Sequence, residues 1–303
     1  MSRILVTDGM DKNAAGVLRK MGHELTEEFF EPDALKQQVK NFDAIIIRSA
    51  TKLPKEMIDA ALETKTLKLI IRAGVGMDNI DVPYGREKGI VVANTPSASS
   101  ASVAELAIGH MFTLARHIHI ANVTMRDGQW NKKQYKGTEI AGKTLGLIGF
   151  GRIAKETAKM AHALGMKVVY TNRSGAKQGY DAYTYMPLNE LLASADYISL
   201  HMPFDKVAGP TISSKQFEMM KDGVFLINCA RGGVVDEDAL IDALDSGKVA
   251  GTGVDVFAEE PTKNIKLCSH PKVSVTPHIG GSTKEAQARI GDEIVSIVEK
   301  NIG

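Results

Sequence analysis

The chain has 303 residues, of which 44% are hydrophobic and 24% charged, a composition typical of a globular protein large enough for two domains. Its 37 Lys and Arg against 36 Asp and Glu leave a net charge of +1, so no basic surplus favours nucleic acid or a membrane surface as a partner. No apolar run approaches the ~18 residues of a transmembrane helix, and the first residues lack a signal-peptide pattern. The two cysteines show neither metal-ligand nor disulfide spacing. We therefore expect a cytoplasmic protein without a metal site.

From Arg3 to Asn94, short apolar runs alternate with amphipathic stretches. The runs predict buried strands at 4–7, 42–47, 67–71 and 89–92, and helical periodicity predicts helices at 13–21 and 55–63. Alternation of this kind is typical of βαβ units around a parallel sheet.

A second series of the same kind begins near Ala141. Its predicted strands are 144–148, 167–170, 197–200, 224–228, 251–254 and 273–276. Two such series predict an α/β protein made of two doubly wound parallel-sheet domains.

Loops at 94–100 and 276–281 mark the joints between the two series, and each precedes a helix. Capping boxes are predicted at Ser102 with Glu105 and at Ser282 with Glu285, and the first of these helices has an apolar face that extends to Ile118. We expect one domain from 98–281 and a discontinuous one from 1–97 plus 282–303, with the last helix packing back on the first domain.

A glycine-rich turn follows the predicted strand 144–148. Gly149, Gly151 and Ala154 form the pattern Gly-x-Gly-x-x-Ala between a strand and a helix. Gly149 permits a tight turn, Gly151 lets the backbone approach a pyrophosphate, and Ala154 allows close helix–strand packing. Because the helix N-terminus also attracts phosphate, the pattern predicts a dinucleotide site rather than an ordinary βα turn.

The residue after the next strand distinguishes NAD from NADP. A carboxylate there binds the ribose 2′-hydroxyl of NAD, whereas an Arg accommodates the 2′-phosphate of NADP. Here the positions hold Asn172 and Arg173, so no carboxylate repels a 2′-phosphate, and Arg173 either attracts one or is an ordinary solvated side chain. The cofactor is NAD or NADP.

Three charged side chains follow later predicted strands: Arg231, Glu260 and His278. Open α/β sheets bind ligands at these carboxyl ends. An Arg can hold a substrate carboxylate bidentately, a His can move a proton near neutral pH, and a Glu can orient it. This set is what a hydroxy-acid dehydrogenase needs.

Taken together, these segments resemble the D-isomer-specific 2-hydroxyacid dehydrogenases, and most closely the members that act on phosphoglycerate. The matching residues are 72–81, 94–96, 104–107, 127–130, 228–233, 255–257 with 259–261, and 278–280 with 282–287. The likeness runs in order from end to end of the chain.

The resemblance implies a flavodoxin-like substrate domain and a Rossmann dinucleotide-binding domain, with the active site in the cleft between them. Arg231, Glu260 and His278 would be catalytic, His278 moving the hydroxyl proton. The implied cofactor-binding residues are Gly149, Gly151, Arg152, Ile153, Asn172, Arg173, His201, Pro203, Cys229, Ala230, Asp255 and Gly280. The implied substrate-binding residues are Arg48, Ser49, Arg72, Gly74, Val75 and Gly76.

The implied reaction is reversible hydride transfer between 3-phosphoglycerate and 3-phosphohydroxypyruvate, the first step of phosphorylated serine biosynthesis. Arg48 and Arg72 would bind the phosphate, with Lys52, Lys133 and Lys136 as further cations that are more simply solvated surface charges. The alternatives are a reductase of glyoxylate, hydroxypyruvate or another 2-keto acid, and, as a different class, a dinucleotide-sensing corepressor.

The resemblance also implies a homodimer or tetramer whose interface includes the long helix and the Trp130 region. Because the sequence ends after the predicted last helix, we expect no regulatory domain and no feedback by serine. Other histidines, among them His110, His117 and His119, are expected to serve packing or to lie at the surface, and Cys229 to be a small buried residue rather than a nucleophile.

Overall fold

The computed structural model describes all residues from Met1 to Gly303, which form two compact units. Unit 1 is Met1–Ser99 with Gly281–Gly303, and unit 2 is Ser100–Gly280. The strands are β1 (Arg3–Val6), β2 (Glu24–Glu27), β3 (Ala44–Ile47), β4 (Leu69–Arg72), β5 (Val91–Asn94), β6 (Thr144–Ile148), β7 (Lys167–Thr171), β8 (Thr184–Tyr185), β9 (Tyr197–Leu200), β10 (Val224–Asn228), β11 (Val249–Val254) and β12 (Val273–Val275). The helices are α1 (Lys12–Lys20), α2 (Pro32–Gln38), α3 (Lys55–Leu62), α4 (Val82–Glu87), α5 (Ser100–Ala115), α6 (Ile118–Arg126), α7 (Arg152–Ala163), α8 (Leu188–Ser194), α9 (Ser214–Met219), α10 (Glu237–Asp245), α11 (Ile265–Cys268) and α12 (Lys284–Ile302).

Unit 1 is built on a five-stranded parallel sheet in the order β2-β1-β3-β4-β5, which is the flavodoxin-like order. The strands are buried on both faces because their side chains alternate between two apolar clusters: Ile45 and Ile47 face one, and Ile46 faces the other. Helix α12 packs against α1, where Gly291 leaves room for Ala14: a Cβ added at Gly291 would lie 2.7 Å from that of Ala14. The last helix therefore completes the core of unit 1.

Unit 2 is built on a seven-stranded parallel sheet in the order β12-β11-β10-β9-β6-β7-β8. The order reverses at β6, with β7 and β8 on one side and β9 to β12 on the other, as in the Rossmann fold. Helices α5 and α7 pack on each other over one apolar cluster, and α5 also lies against β10 and β11. The predicted fold class, two doubly wound parallel-sheet domains, is confirmed.

The two strands that the sequence did not predict are both at sheet edges. β2 has a Glu at each end, and β8 has only two residues, both exposed. Neither of the two has the continuous apolar run of a strand buried between neighbours, so neither left a hydrophobic signal.

Both predicted capping boxes were misplaced. Helix α5 begins at Ser100, which puts Ser102 inside the helix. Helix α12 is capped by Thr283, whose hydroxyl accepts a hydrogen bond from the Ala286 N–H at 3.1 Å.

The long apolar face predicted for α5 also ends early, because His117 has a left-handed φ of +54° and separates α5 from α6, leaving Ile118 51% exposed. None of the helices is long and apolar enough to cross a membrane.

Candidate active site

The turn from β6 into α7 carries the predicted phosphate site. Gly149 has φ +89°, and a Cβ added there would lie 2.4 Å from the His201 carbonyl oxygen, so this position requires glycine for two independent reasons. A Cβ added at Gly151 would meet nothing within 4 Å. Gly151 is the N-cap of α7 and offers no side chain to the first amides of the helix, while Ala154 is fully buried beneath it.

This arrangement fits the pyrophosphate of a dinucleotide. The first N–H groups of α7 have no capping side chain, and the space over Gly151 is open. Uncapped amides at the positive end of a helix dipole bind anions. Arg152 is exposed at the same turn and adds a positive charge. The residues of this turn therefore match the phosphate group of the cofactor that the sequence predicts.

The turn after β7 holds the side chains that would meet the adenosine ribose. Asn172 donates from Nδ2 to the Ser174 hydroxyl at 2.8 Å and to the Gly175 carbonyl at 3.5 Å, so its amide nitrogen is engaged inside the turn. Arg173 is exposed. No carboxylate is present among these residues.

His201 follows β9 at the same edge of the sheet as Gly149. Its Nε2 lies 2.9 Å from the Ser199 hydroxyl, and burial lowers the pKa of His201 from 6.5 to about 4. The ring is therefore neutral at physiological pH. Pro203, two residues later, is exposed.

Among the predicted catalytic residues, His278 and Glu260 are in direct side-chain contact. His278 Nδ1 lies 2.7 Å from Glu260 Oε2, and both side chains are about one-third exposed, at 36% and 35%. Burial raises the pKa of Glu260, but the hydrogen bond and charge of His278, the Phe257 N–H and the charge of Arg231 outweigh it, so the pKa is lowered overall. Glu260 is therefore ionised at neutral pH and fixes one nitrogen of the imidazole ring.

Glu260 is held in place by its own loop. Its Oε1 accepts from the Phe257 N–H at 3.1 Å. Glu237, the first residue of α10, accepts from the Ala258 N–H with one oxygen and from Asn264 Nδ2 with the other, both at 2.8 Å. Glu237 thus anchors both ends of the 258–264 segment. Nothing in the sequence pattern predicts this role of Glu237, and its only signal is its place at a helix start.

Arg231 lies in a turn shaped by Asn228. The Asn228 side chain accepts from the Ala230 N–H at 3.1 Å and donates to the Arg231 carbonyl at 3.0 Å. The adjoining Gly232 touches the backbone of Phe257, since an added Cβ would lie 1.6 Å from that carbonyl oxygen. This contact brings the Arg231 turn against the Glu260 loop, which is why the charge of Arg231 lowers the pKa of Glu260.

Asp255 is 1% exposed, and its carboxylate is bound by the segment that carries His278. Oδ1 accepts from the Thr276 hydroxyl at 2.6 Å and from the Ile279 N–H at 2.8 Å, and Oδ2 accepts from the Gly280 N–H at 2.9 Å. Asp255 and Gly280, both predicted to contact the cofactor, therefore contact each other. Cys229 and Ala230 are buried nearby at the end of β10, and burial raises the pKa of the Cys229 thiol, as expected of a packing residue.

In unit 1 the Arg72 guanidinium lies directly over Gly74. Its Nη1 donates to the Ala73 carbonyl at 3.1 Å, and a Cβ added at Gly74, where φ is +147°, would lie 1.4 Å from that nitrogen. Asn94 Nδ2 donates to the Val75 carbonyl at 2.6 Å and fixes the far side of the turn. The glycine therefore makes room for the arginine.

Arg48 and Ser49 follow β3, the neighbour of β4, so they stand at the same sheet edge as Arg72. Asp8 Oδ2 accepts from the Arg48 N–H at 2.6 Å, which fixes the backbone. The Arg48 guanidinium has no hydrogen-bond or ion-pair partner, and Ser49 is exposed. Lys52, Lys133 and Lys136 are exposed surface charges.

Comparisons with known proteins show the family to which the chain belongs. A sequence model described as "D-isomer specific 2-hydroxyacid dehydrogenase, NAD binding domain" matches residues 108–280. The chain belongs to this family. Its predicted membership is confirmed, and the chain is accordingly an NAD-binding oxidoreductase of the D-2-hydroxyacid dehydrogenase type.

Two relatives and one solved structure show the range of the family around this chain. A hydroxypyruvate reductase from Thermotoga maritima is 46% identical over 99% of this chain and 98% of the relative. A D-3-phosphoglycerate dehydrogenase from Methanocaldococcus jannaschii is 40% identical over 99% of this chain but only 57% of the relative, so the chain spans little more than half of that dehydrogenase. A glyoxylate reductase from Paecilomyes thermophila superposes with a TM-score of 0.90 at 31% identity, over 98% of this chain and 94% of that one.

Proposed function

We propose that this dehydrogenase catalyses reversible hydride transfer between 3-phosphoglycerate and 3-phosphohydroxypyruvate, the first step of phosphorylated serine biosynthesis. The observation that carries the reaction chemistry is the 2.7 Å contact between His278 Nδ1 and Glu260 Oε2. A histidine oriented by an ionised carboxylate is the group that proton transfer to a keto oxygen requires.

The proton is exchanged at His278 Nε2, because Nδ1 is bound to Glu260. In the reductive direction the imidazolium donates from Nε2 to the oxygen of the former carbonyl as that oxygen gains negative charge. Glu260 stabilises the positive ring until the proton leaves. Arg231 binds the substrate carboxylate bidentately, which holds the carbon that is reduced in a fixed place. In the oxidative direction neutral His278 accepts the hydroxyl proton.

A bound dinucleotide would supply or accept the hydride at its nicotinamide. Gly149, Gly151 and the first amides of α7 would bind its pyrophosphate, with Arg152 and Ile153 beside them. His201 and Pro203 would flank the adenine. In this proposal Asp255 acts on the nicotinamide side through the backbone segment 276–280 that it holds.

The phosphorylated substrate is supported by Arg48. The guanidinium of Arg231 suffices for the substrate carboxylate. Two further guanidinium groups, those of Arg48 and Arg72, lie at adjacent strand ends of unit 1, and that of Arg48 has no hydrogen-bond or ion-pair partner. A phosphate dianion is the ligand that such a pair of arginines binds well. Arg72 and the 74–76 turn would contact the same substrate.

Hydroxypyruvate is the second candidate substrate. The Thermotoga maritima relative that carries that name matches nearly its full length, and hydroxypyruvate differs from the proposed substrate only by the phosphate. The catalytic proposal for His278, Glu260 and Arg231 is the same for both acids. A corepressor function is not favoured by any feature of the site.

The dinucleotide site supports the use of NADPH as well as NADH. The exposed Arg173 can pair with a 2′-phosphate, and Asn172 carries no charge that would repel one.

We also propose a homodimer, because α6 buries none of its residues, and Ile118, Val123, Met125 and Trp130 are each more than half exposed.

The experiment that tests the proposed chemistry is the variant His278→Ala. We expect turnover to fall by about 10²–10⁴-fold, the usual contribution of a general acid–base group, while the dinucleotide dissociation constant changes little. Binding is measured by quenching of Trp130 fluorescence or by calorimetry. Wild-type turnover in this variant would contradict the proposal.

A further inference from the structure

His110 on α5 is a buried histidine to which the proposed chemistry gives no part. It is 3% exposed, and both ring nitrogens are hydrogen-bonded: Nδ1 lies 3.0 Å from the Ser274 hydroxyl and Nε2 lies 3.2 Å from the Thr276 hydroxyl. The sequence predicts that it serves packing or lies at the surface. It is buried as a packing residue is, and it also contacts Ser274 in β12 and Thr276, two residues before His278.

The ring lies close against β11 because Gly253 has no side chain. A Cβ added at Gly253 would lie 2.6 Å from the Cβ of His110 and 2.7 Å from its Cγ. Any larger residue at this point of β11 would push α5 away from the sheet. The glycine therefore permits the ring to reach across β11 to the hydroxyls of the next strand.

The hydrogen bonds have only one consistent set of directions. The Thr276 hydroxyl donates its proton to Asp255 Oδ1 at 2.6 Å, so toward His110 the Thr276 oxygen can only accept. His110 Nε2 must therefore carry the hydrogen. Burial lowers the pKa of His110 more than the charge of Asp255 raises it, and His119 lowers it further. The ring is neutral, which leaves Nδ1 as the acceptor of the Ser274 O–H.

The hydrogen bonds from His110 lead through the Thr276 hydroxyl to Asp255, which binds the chain on both sides of His278. Asp255 binds Thr276 before that residue, and the Ile279 and Gly280 amides after it. His278 itself has φ +54°, a left-handed conformation that is unfavourable for any residue with a Cβ. Such a conformation persists only where neighbouring contacts fix it, and here those contacts include the hydrogen bonds of the flanking segment to Asp255 beside the contact of His278 with Glu260.

We propose that His110 is a positioning residue, whose Nε2–H fixes the Thr276 hydroxyl on Asp255 and thereby holds the 276–280 segment with His278 in its working orientation. The consequence for turnover rests on the proposed function, in which His278 moves the proton. The structural consequence, a segment held by His110, does not.

The test compares three replacements of His110. The amide of Gln reaches about as far from the backbone as Nε2 and can donate to Thr276, whereas Asn ends near Nδ1 and Leu has no polar group. We expect kcat to fall by about 10–100-fold in His110→Asn and His110→Leu, as for a catalytic group displaced by a fraction of an ångström, with the dinucleotide dissociation constant within about twofold of wild type. His110→Gln restores most of kcat.

His23 provides the matched control. It is another buried histidine, 6% exposed, but in unit 1 and without a hydrogen-bond partner on either ring nitrogen. We expect His23→Asn to change thermal stability without changing kcat, measured well below the unfolding midpoint. If His110→Asn and His110→Gln lose kcat equally, or only in step with thermal stability, the residue is merely structural and the inference is overturned.

Amide hydrogen exchange gives a readout that does not depend on activity. The Ile279 and Gly280 amides should exchange faster in His110→Asn than in wild type or His23→Asn, since their acceptor Asp255 is no longer fixed. Unchanged exchange at both amides would overturn the inference. If His278→Ala proves fully active, the proposed function fails, while the exchange measurement still decides whether His110 holds the segment.

Discussion

At the scale of single residues, the site depends on which groups are charged at neutral pH. Glu260 remains ionised because His278 and Arg231 lower its pKa. Burial lowers the pKa of His110 and of His201, so both rings are neutral. The residue types that follow strands are enough to propose Arg231, Glu260 and His278 as the catalytic set from the sequence. The sequence could not predict the state of His110, because its two partners are 164 and 166 residues further along the chain.

His201 provides a prediction about pH. Its pKa is about 4 in the folded protein and 6.5 in the unfolded chain, so below pH 6.5 the unfolded state binds more protons and folding becomes less favourable. This loss grows as pH falls from 6.5 to about 4 and then stops. In His201→Asn we expect urea unfolding midpoints to fall less over that range than in wild type. The other histidines are present in both proteins, so their contributions cancel in the comparison. Urea midpoints that fall in parallel in the two proteins across this pH range would contradict the lowered pKa of His201.

At the scale of elements, strands in the middle of the sheets were predicted well because they are continuous apolar runs. The limits of β6, β9 and β10 match the predictions residue for residue. The edge strands β2 and β8 were missed, and the caps of α5 and α12 were misplaced. Several Ser and Thr residues stand together before each of these helices, and backbone geometry rather than residue type decides which of them becomes the cap.

The turn between β6 and α7 allows a matched pair of variants. Gly149→Ala should cost about 2 kcal/mol of folding stability, since a Cβ there combines a left-handed φ with an overlap on the His201 carbonyl. Gly151→Ala should leave stability nearly unchanged, because its Cβ enters open space, but should weaken dinucleotide binding by filling the place of the pyrophosphate. Thermal unfolding and dinucleotide titration separate the two effects; equal stability of both variants would contradict this account of the turn.

At the scale of the whole molecule, the exposed apolar side chains of α6 and of Trp130 predict association. Helix α6 buries none of its residues, and exposed apolar side chains that are close in sequence favour an interface with another chain. We expect sedimentation at micromolar concentration to give twice the mass of the chain, and Val123→Lys with Met125→Lys to shift the protein toward monomer. A monomeric wild type over this concentration range would contradict the proposed homodimer.

The parallel direction of the strands in both sheets follows from the alternation of strands and helices, which the sequence displays. The substrate does not follow in the same way, because hydroxypyruvate and its phosphate require the same catalytic residues and differ only at the remote end. Arg48 and Arg72 are the residues that could distinguish them. Their sequence signal is no more than a cation after an apolar run, which is also what a solvated surface residue looks like.

The most direct measurement is the kcat/KM for reduction of 3-phosphohydroxypyruvate, hydroxypyruvate and glyoxylate, each with NADH and with NADPH, by wild type and Arg48→Ala. We expect wild type to prefer the phosphorylated acid by about 10-fold or more, the effect of one charge-assisted contact. We expect Arg48→Ala to lose this preference while keeping its activity on hydroxypyruvate. A preference for hydroxypyruvate or glyoxylate in wild type, unaltered by Arg48→Ala, would contradict the proposed substrate and leave the second candidate in its place.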